Sequence, residues 1–397
     1  MSKNEEKELL ELQEKYVMHT YNRDLMLVRG EGSHVWDAEG NEYLDFTMGI
    51  AVCNLGHCHP RVTAAIREQA GKLVHVSNLF YNENQPRLAA AIATHSFGGK
   101  VFFCNSGAEA NEGQIKFARK WGSAHGGRYE IICMDNSFHG RTLATLAATG
   151  RAKYRVGFAP DVEGFRFATF NDLESVKAQL TEHTVAVMLE PVQGEGGIIP
   201  GTPDFIQGVR QFCDEHNLLL LLDEVQCGMG RTGKAFAYQH YGIEPDSMSM
   251  AKALGNGLPL AAFEVQQKHA DVLQPGMHAS TFGGTPLACA AGLAVFETFD
   301  RDKVLENATE MGKWMTARLR ELQAKYPAII RDIRGKGLML GVDVGEYVKP
   351  LFSACRKLNF LVLTAGETVL RLMPALTLTE ADAAEAIQRL DQALATL

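Results

Sequence analysis

Five short apolar runs constrain this chain more than any other feature: Val101-Phe-Phe-Cys104, Ile131-Ile-Cys-Met134, Val185-Ala-Val-Met-Leu189, Leu218 to Leu222, and Ser247-Met-Ser-Met-Ala251. Their small and apolar residues fall at both parities, whereas a strand buried on one face alternates. Such strands need cover on two sides. Helical patterns at 60–74, 86–95, 108–122, 172–181, 203–216 and 286–299 supply it, and turn or cap residues (Pro60, Pro86, Asn171, Pro203, Pro286) precede several of them. Strand, helix and strand in alternation make βαβ crossovers. The expected class is therefore α/β, with a large doubly wound, mostly parallel sheet.

The texture changes after a long helical pattern at 302–325. Gly337-Leu-Met-Leu-Gly-Val-Asp-Val344, a helix near 348–357, Phe360-Leu-Val-Leu363, Val369-Leu-Arg-Leu-Met373 and a last helix from Thr379 mix strands and helices on a short scale. They read as a smaller α+β domain. The expected division is 1–59 as an N-terminal segment packing on the small domain, 60–296 as the large domain and 297–397 as the C-terminal domain. Within 1–24, Leu9, Leu10, Leu12, Tyr16 and Val17 lie among charges, an amphipathic helix expected to dock on something larger.

Composition removes several classes. Hydrophobic residues at 46% and charged residues at 22% are ordinary globular usage, not disorder. The longest aliphatic run, Leu218 to Leu222, is far short of the ~20 residues a bilayer span needs, so no membrane partner is expected. Met1 to Glu8 shows neither an apolar signal core nor an Arg-rich transit pattern, which makes the cytoplasm the expected compartment. A net charge of -8 without clustered Lys or Arg argues against nucleic acid and for small-molecule partners. The 8 cysteines form no C-x-x-C pair and read as reduced thiols. His57-x-His59 lacks a third ligand at useful spacing and reads as the turn before the Pro60 helix, so no metal is expected.

Ligands of open α/β sheets bind at the carboxyl ends of the strands. After the first run, Asn105-Ser-Gly-Ala-Glu-Ala-Asn111 opens a helix whose free N–H groups suit a phosphate. After the second, Asn136-Ser-Phe-His-Gly-Arg141 offers an aromatic, an imidazole and a guanidinium. Glu190-Pro-Val-Gln-Gly-Glu195 follows the third, and Asp223-Glu-Val-Gln226 follows five leucines, where a carboxylate is costly unless it meets a cation or a donor. Lys252, after the fifth run, sits where desolvation lowers an amine's pKa and makes it nucleophilic. A phosphate cradle, an aromatic plate, a buried carboxylate and a nucleophilic lysine together match pyridoxal 5'-phosphate, which needs a Schiff-base lysine and an acid at its ring nitrogen.

In these segments, with Trp36-Asp-Ala-Glu-Gly40, Gly56-His-Cys-His-Pro60 and Ser280-Thr-Phe-Gly-Gly284, the sequence resembles the class III, fold-type I pyridoxal-phosphate aminotransferases, closest to the acetylornithine and succinylornithine group. The likeness runs from about Val28 to Thr379. It implies that Lys252 bonds the cofactor and shuttles the proton, that Asp223 pairs with the ring nitrogen and that Gln226 faces the ring hydroxyl. Phe138 would stack on the ring, and Ser106, Gly107 and Ala108 would hold the phosphate. Thr281 would reach that phosphate from a neighbouring subunit, so the resemblance implies a homodimer with shared sites.

For substrate, the resemblance sets Arg141 against a carboxylate with Ser280 close by, and Arg371 against the second carboxylate of glutamate. Glu195 would neutralise Arg371 when a substrate with one carboxylate is bound. Tyr21 matches one of two substrate tyrosines of ornithine aminotransferases, and Ile50 stands at the other, which favours an N-acylated ornithine. The implied reaction is a ping-pong transfer from the δ-amine of N2-acetyl-L-ornithine to 2-oxoglutarate, leaving L-glutamate, as in arginine biosynthesis. Succinylornithine, ornithine, succinyl-diaminopimelate and 4-aminobutyrate are the alternative donors. Cys227, Asn256 and Thr285 depart from the usual Thr, Gly and Asn. Two remoter readings fail on context. Ser249-Met-Ala-Lys252 matches S-x-x-K of serine acylases, but it ends an apolar run instead of starting a helix. A non-catalytic scaffold has no need of Lys252 and Asp223 at adjacent strand ends.

Overall fold

The computed structural model describes residues 3–397; Met1 and Ser2 of the N-terminal stretch lie outside the described residues. Its centre is a seven-stranded sheet. From one edge to the other the strands are Lys100–Cys104, Ala261–Val265, Ser247–Met250, Leu219–Asp223, Thr184–Leu189, Glu130–Met134 and Phe165–Ala168. All run parallel except Ala261–Val265, which is antiparallel to both its neighbours. Every residue of Thr184–Leu189 and Leu219–Asp223 is buried, as runs without alternation require.

Helices cover both faces, and their starts follow from local chemistry. The Ser106 side chain accepts from Glu109 N and opens Gly107–Ser123. Thr202 accepts from Phe205 N, with Pro203 as the first residue of Pro203–Glu215. Thr379 accepts from Asp382 N at the start of Glu380–Leu394. Each satisfies a backbone donor that the first helical turn leaves free. The pattern expected over 172–181 is helical only across Leu173–Ala178. At the other junction the helix Pro286–Asp302 ends where Lys303 takes a left-handed φ of 52°, and Val304–Lys325 begins afresh.

A four-stranded antiparallel sheet of Asp332–Lys336, Met339–Asp343, Val369–Leu372 and Leu363–Ala365 stands beside the large one. Phe360–Leu361 instead pairs with Leu44 and Asp45, joining a sheet that holds the N-terminal strands Leu27–Glu31, His34–Asp37 and Glu42–Asp45. The amphipathic helix forms over Lys3–Tyr16, but Leu9, Leu10, Leu12, Tyr16 and Val17 are all exposed. Among the described residues, no helix is long and apolar enough to cross a membrane.

Candidate active site

The carboxyl ends of the central strands open into a cavity of about 430 Å³, lined by the loop residues that follow them. Lys252 starts a three-residue turn one residue after Ser247–Met250 and is held at φ 47°, a conformation that costs a non-glycine residue about 1–3 kcal/mol and gathers at functional sites. Burial pushes its amine below the ordinary lysine pKa. The Glu195, Asp223 and Glu190 carboxylates oppose that shift, and Arg371 adds to it.

Asp223 closes the strand Leu219–Asp223 and is 3% exposed. Its Oδ2 accepts from Asn111 Nδ2 at 2.7 Å and lies 2.8 Å from His139 Nδ1, and its Oδ1 accepts from Val225 N at 3.0 Å. Asn111 is fixed in turn, because its Oδ1 accepts from Ser249 Oγ at 2.6 Å. One helix, one loop and two strands thus hold a single carboxylate. The next residue, Glu224, is pushed up to about 7 by burial, although the backbone N–H groups of Ala237 and Tyr238 donate to it.

Arg371, in Val369–Leu372, donates from Nη1 to Glu195 Oε1 at 2.5 Å and to Gln226 Oε1 at 3.1 Å. Burial on its own would raise the Glu195 pKa, but the charge and hydrogen bond of Arg371, with Lys252 and Gln226, hold it below the usual carboxylate value. Ser106, Gly107 and Ala108 line the opposite wall, where the helix Gly107–Ser123 begins. Phe138 and Arg141 share the cavity. The Arg141 guanidinium stacks 3.9 Å from the Tyr154 ring centre and 5.4 Å from that of Phe138.

Three expected residues lie elsewhere in the single chain. Ser280 and Thr281 line a separate depression with Leu79 and Tyr81, and the bond from Asn105 Nδ2 to Ser280 Oγ, 3.1 Å, ties it to the first loop. Tyr21 is 71% exposed and meets Arg23. His139, Asn111 and Glu190, carried by the segments that follow the first three runs, also belong to the cavity, with no role that the sequence alone assigns them. Glu190 carries a legible signal, since it directly follows a fully buried strand just as Asp223 closes one. Burial, next to Asp223, pushes its carboxyl well above the ordinary value.

The site fits pyridoxal 5'-phosphate on its own geometry. His139 Nε2 and Glu190 Oε2 are buried without a partner, so polar capacity around the cavity is unused. Space is kept by glycine: a Cβ on Gly194 would come within 2.0 Å of Gln226 Oε1, and one on Gly107 within 2.7 Å of Val225. The start of Gly107–Ser123 offers free N–H groups to a phosphate.

Comparison with known proteins agrees. Residues 16–394 match the family model described as aminotransferase class-III. The acetylornithine aminotransferase of Caldanaerobacter subterraneus subsp. tengcongensis is 50% identical over 394 residues, 98% of this chain and 100% of that protein. The enzyme of the same name from Methanocaldococcus jannaschii is 46% identical over 390 residues, 96% of this chain and 97% of its own. Among solved structures, the N-acetylornithine aminotransferase from Stenotrophomonas maltophilia superposes with a TM-score of 0.84 at 36% identity, covering 98% of each chain. The ornithine aminotransferase from Toxoplasma gondii gives 0.94 at 31% identity, covering 98% of this chain and 95% of that one. The chain belongs to the class-III aminotransferases, enzymes of fold-type I that depend on pyridoxal 5'-phosphate.

Proposed function

We propose that the chain moves the δ-amino group of N2-acetyl-L-ornithine to 2-oxoglutarate, giving N-acetyl-L-glutamate 5-semialdehyde and L-glutamate in arginine biosynthesis. The observation that carries this reading is the Glu195–Arg371 pair, joined at 2.5 Å beside Lys252. A pocket whose arginine is neutralised takes a donor with one carboxylate, and the same arginine, once released, takes the second carboxylate of 2-oxoglutarate. The names of relatives 45–50% identical over nearly the whole chain support the acyl donor.

Pyridoxal 5'-phosphate supplies, when bound, an electrophilic aldehyde and a ring that accepts the electron pair released at the carbon bearing the amine. Lys252 would bond that aldehyde. Burial lowers the pKa of Nζ, which favours the neutral amine that would take the proton from the substrate carbon and return it elsewhere. Asp223, immobilised by Asn111 and His139, would face the ring nitrogen and hold its positive charge. Gln226 would meet the ring hydroxyl, Phe138 the ring face, and Ser106, Gly107 and Ala108 the phosphate. Arg141 would bind the donor's carboxylate; Ser280 and Tyr21, expected beside it, stand outside the cavity in the single chain. A homodimer completes the reading, with Thr281 contributed by the second subunit.

The test is kcat/KM for N2-acetylornithine, N2-succinylornithine, ornithine and 4-aminobutyrate, each with 2-oxoglutarate. A preference of about tenfold or more for acetylornithine, or roughly 1.4 kcal/mol of transition-state binding, is expected; a preference for ornithine or 4-aminobutyrate would overturn the donor assignment. Lys252→Ala should abolish turnover with every donor. Normal turnover in that variant would remove the assignment of Lys252 itself.

A further inference from the structure

Arg141, on the loop after Glu130–Met134, is held by rings instead of by an acid. Its guanidinium lies 3.9 Å from the Tyr154 ring centre and 5.4 Å from that of Phe138, and the two rings meet edge to face at 6.0 Å. Among the described residues, no carboxylate forms an ion pair with it. The difference matters because a guanidinium has two kinds of surface. Its faces stack on aromatic rings, while its N–H groups point outward in the plane, in a fork that fits a carboxylate. An acid at the fork would compete with a substrate's carboxylate; a ring on the face leaves the fork free.

The local fold brings Tyr154 to that face. After the helix Leu143–Ala148 the chain returns to the strand end: Gly150 bridges to Asp135, Asn136 N donates to Gly150 O at 3.0 Å, and Gly150 N donates to Ser137 Oγ at 3.0 Å. A Cβ on Gly150 would come within 2.1 Å of Met134 O, so glycine permits this close approach. The turn Ala152–Tyr154 follows, closed by Tyr154 N donating to Arg151 O at 3.0 Å.

Arg151 braces the ring. Its Nη1 donates to Tyr154 Oη at 3.2 Å and to the backbone oxygen of Glu195 at 3.0 Å, an oxygen that also accepts from Gly366 N at 2.9 Å. The Arg151 guanidinium and Lys153 Nζ stand 5.1 and 5.8 Å from the same ring centre. Tyr154 thus contacts the arginine read as one carboxylate ligand and is joined through Arg151 to the residue that neutralises the other. It is not itself part of the cavity wall, so it acts through Arg141.

We propose that Tyr154 is a positioning residue for substrate recognition: its ring holds the Arg141 guanidinium by the face, with the N–H fork free for the carboxylate of the amino donor, and Arg151 keeps the ring in place. A long side chain loses rotamer freedom when it closes on a ligand. Stacked, Arg141 has lost much of it beforehand, so more of the ion pair's strength appears as affinity. The proposal rests on the reading of Arg141 as the donor's carboxylate ligand.

The experiment uses the cofactor-loaded enzyme and follows the half-reaction with N2-acetylornithine by stopped-flow absorbance over a range of donor concentrations, which separates half-saturation from limiting rate. Bound-cofactor absorbance and Tm report that each variant folds. Arg141→Ala should raise the half-saturating concentration about 10–100-fold. Tyr154→Leu should raise it about 5–10-fold with the limiting rate within about twofold, because the loss is one of binding. Tyr154→Gln gives the same reading should Tyr154→Leu not fold. Tyr154→Phe keeps the ring face and should stay within about twofold of native. On an Arg141→Ala background, Tyr154→Leu should add less than about twofold, since the ring then has no guanidinium to hold. Native saturation in Arg141→Ala would remove the reading of Arg141 and the proposal with it. A large Arg141→Ala effect beside native saturation in Tyr154→Leu would overturn the proposal alone. So would a Tyr154→Leu effect that persists in full without Arg141, or a Tyr154→Phe variant as impaired as Tyr154→Leu.

Discussion

Glu195 and Arg371 meet on an arginine that is 3% exposed, so what happens to Arg371 when Glu195 changes is an energetic question with a definite sign. A buried guanidinium without its anion is costly, and a charge-assisted hydrogen bond contributes about 1.5–3 kcal/mol. Glu195→Gln keeps the volume and the Gln226 contact but removes the charge. A donor with one carboxylate then reaches a pocket with an uncompensated cation, whereas 2-oxoglutarate brings its own anion. The half-reaction with acetylornithine should lose about 10–100-fold in kcat/KM and that with 2-oxoglutarate less than about threefold, as followed by stopped-flow absorbance of each half-reaction. Equal losses in both would reduce Glu195 to a structural partner. Lys252 and Asp223 stand out in the sequence because each directly follows an apolar run, whereas Glu195 enters only through the family resemblance. The loops of His139 and Asn111 could be marked the same way but their roles could not, since they act by holding Asp223 from 84 and 112 positions away, a distance that only folding closes.

At the level of the element, the parallel strands were legible for the same reason that they are stable, being apolar at both parities. Ala261–Val265 was not. It follows Ser247–Met250 after a loop too short for a crossover helix, and its Glu264 is buried in the sheet, bonded to Ser96 Oγ at 2.8 Å and Gly99 N at 2.7 Å. A buried acid inside a short run masks the strand pattern. The opposite end of Ser247–Met250 shows how such an acid stabilises a sheet. Asp246, 3% exposed, accepts from Leu220 N at 3.0 Å and Arg210 Nη1 at 2.8 Å, and lies 3.1 Å from both Lys268 Nζ and His269 Nε2. Burial favours its neutral form, yet these partners hold the carboxyl far below its ordinary value of 3.8. A depressed folded pKa stabilises the fold above the unfolded value and ceases to do so as pH falls through the folded one. Asp246→Asn should therefore cost about 3–5 kcal/mol at pH 7, the penalty of leaving a buried charge cluster unpaired. The gap in Tm from the native protein should narrow steadily below pH 4; an unchanged gap would mean that shape, not charge, holds this corner.

For the whole molecule, the surface keeps a concentrated apolar region exposed. Leu79, Phe80, Tyr81 and Phe282 are 81%, 69%, 103% and 61% exposed, more apolar surface in one region than an isolated globule keeps without a use. Leu79 and Tyr81 line the same depression as Ser280 and Thr281, the residues that stand apart from Lys252. A second copy covering this face would bury the patch and carry Thr281 toward the other subunit's phosphate cradle. A two-fold dimer would make that exchange reciprocal, so that each site would hold one subunit's Lys252 and the other's Thr281. Mixing subunits tests the point without a structure of the pair. Lys252→Ala and Thr281→Ala chains, refolded together, give mixed dimers in which both defects fall in one site and the other site is native. With random pairing, about a quarter of all sites are then native, and transamination should rise above the mean of the two parent variants. Were Thr281 to serve its own subunit, each site of the mixed dimer would keep one defect. Activity would then stay at the mean of the parents, and the shared site would have to be abandoned. Sedimentation velocity on the same samples checks that dimers form, which separates a failure to pair from a failure to share.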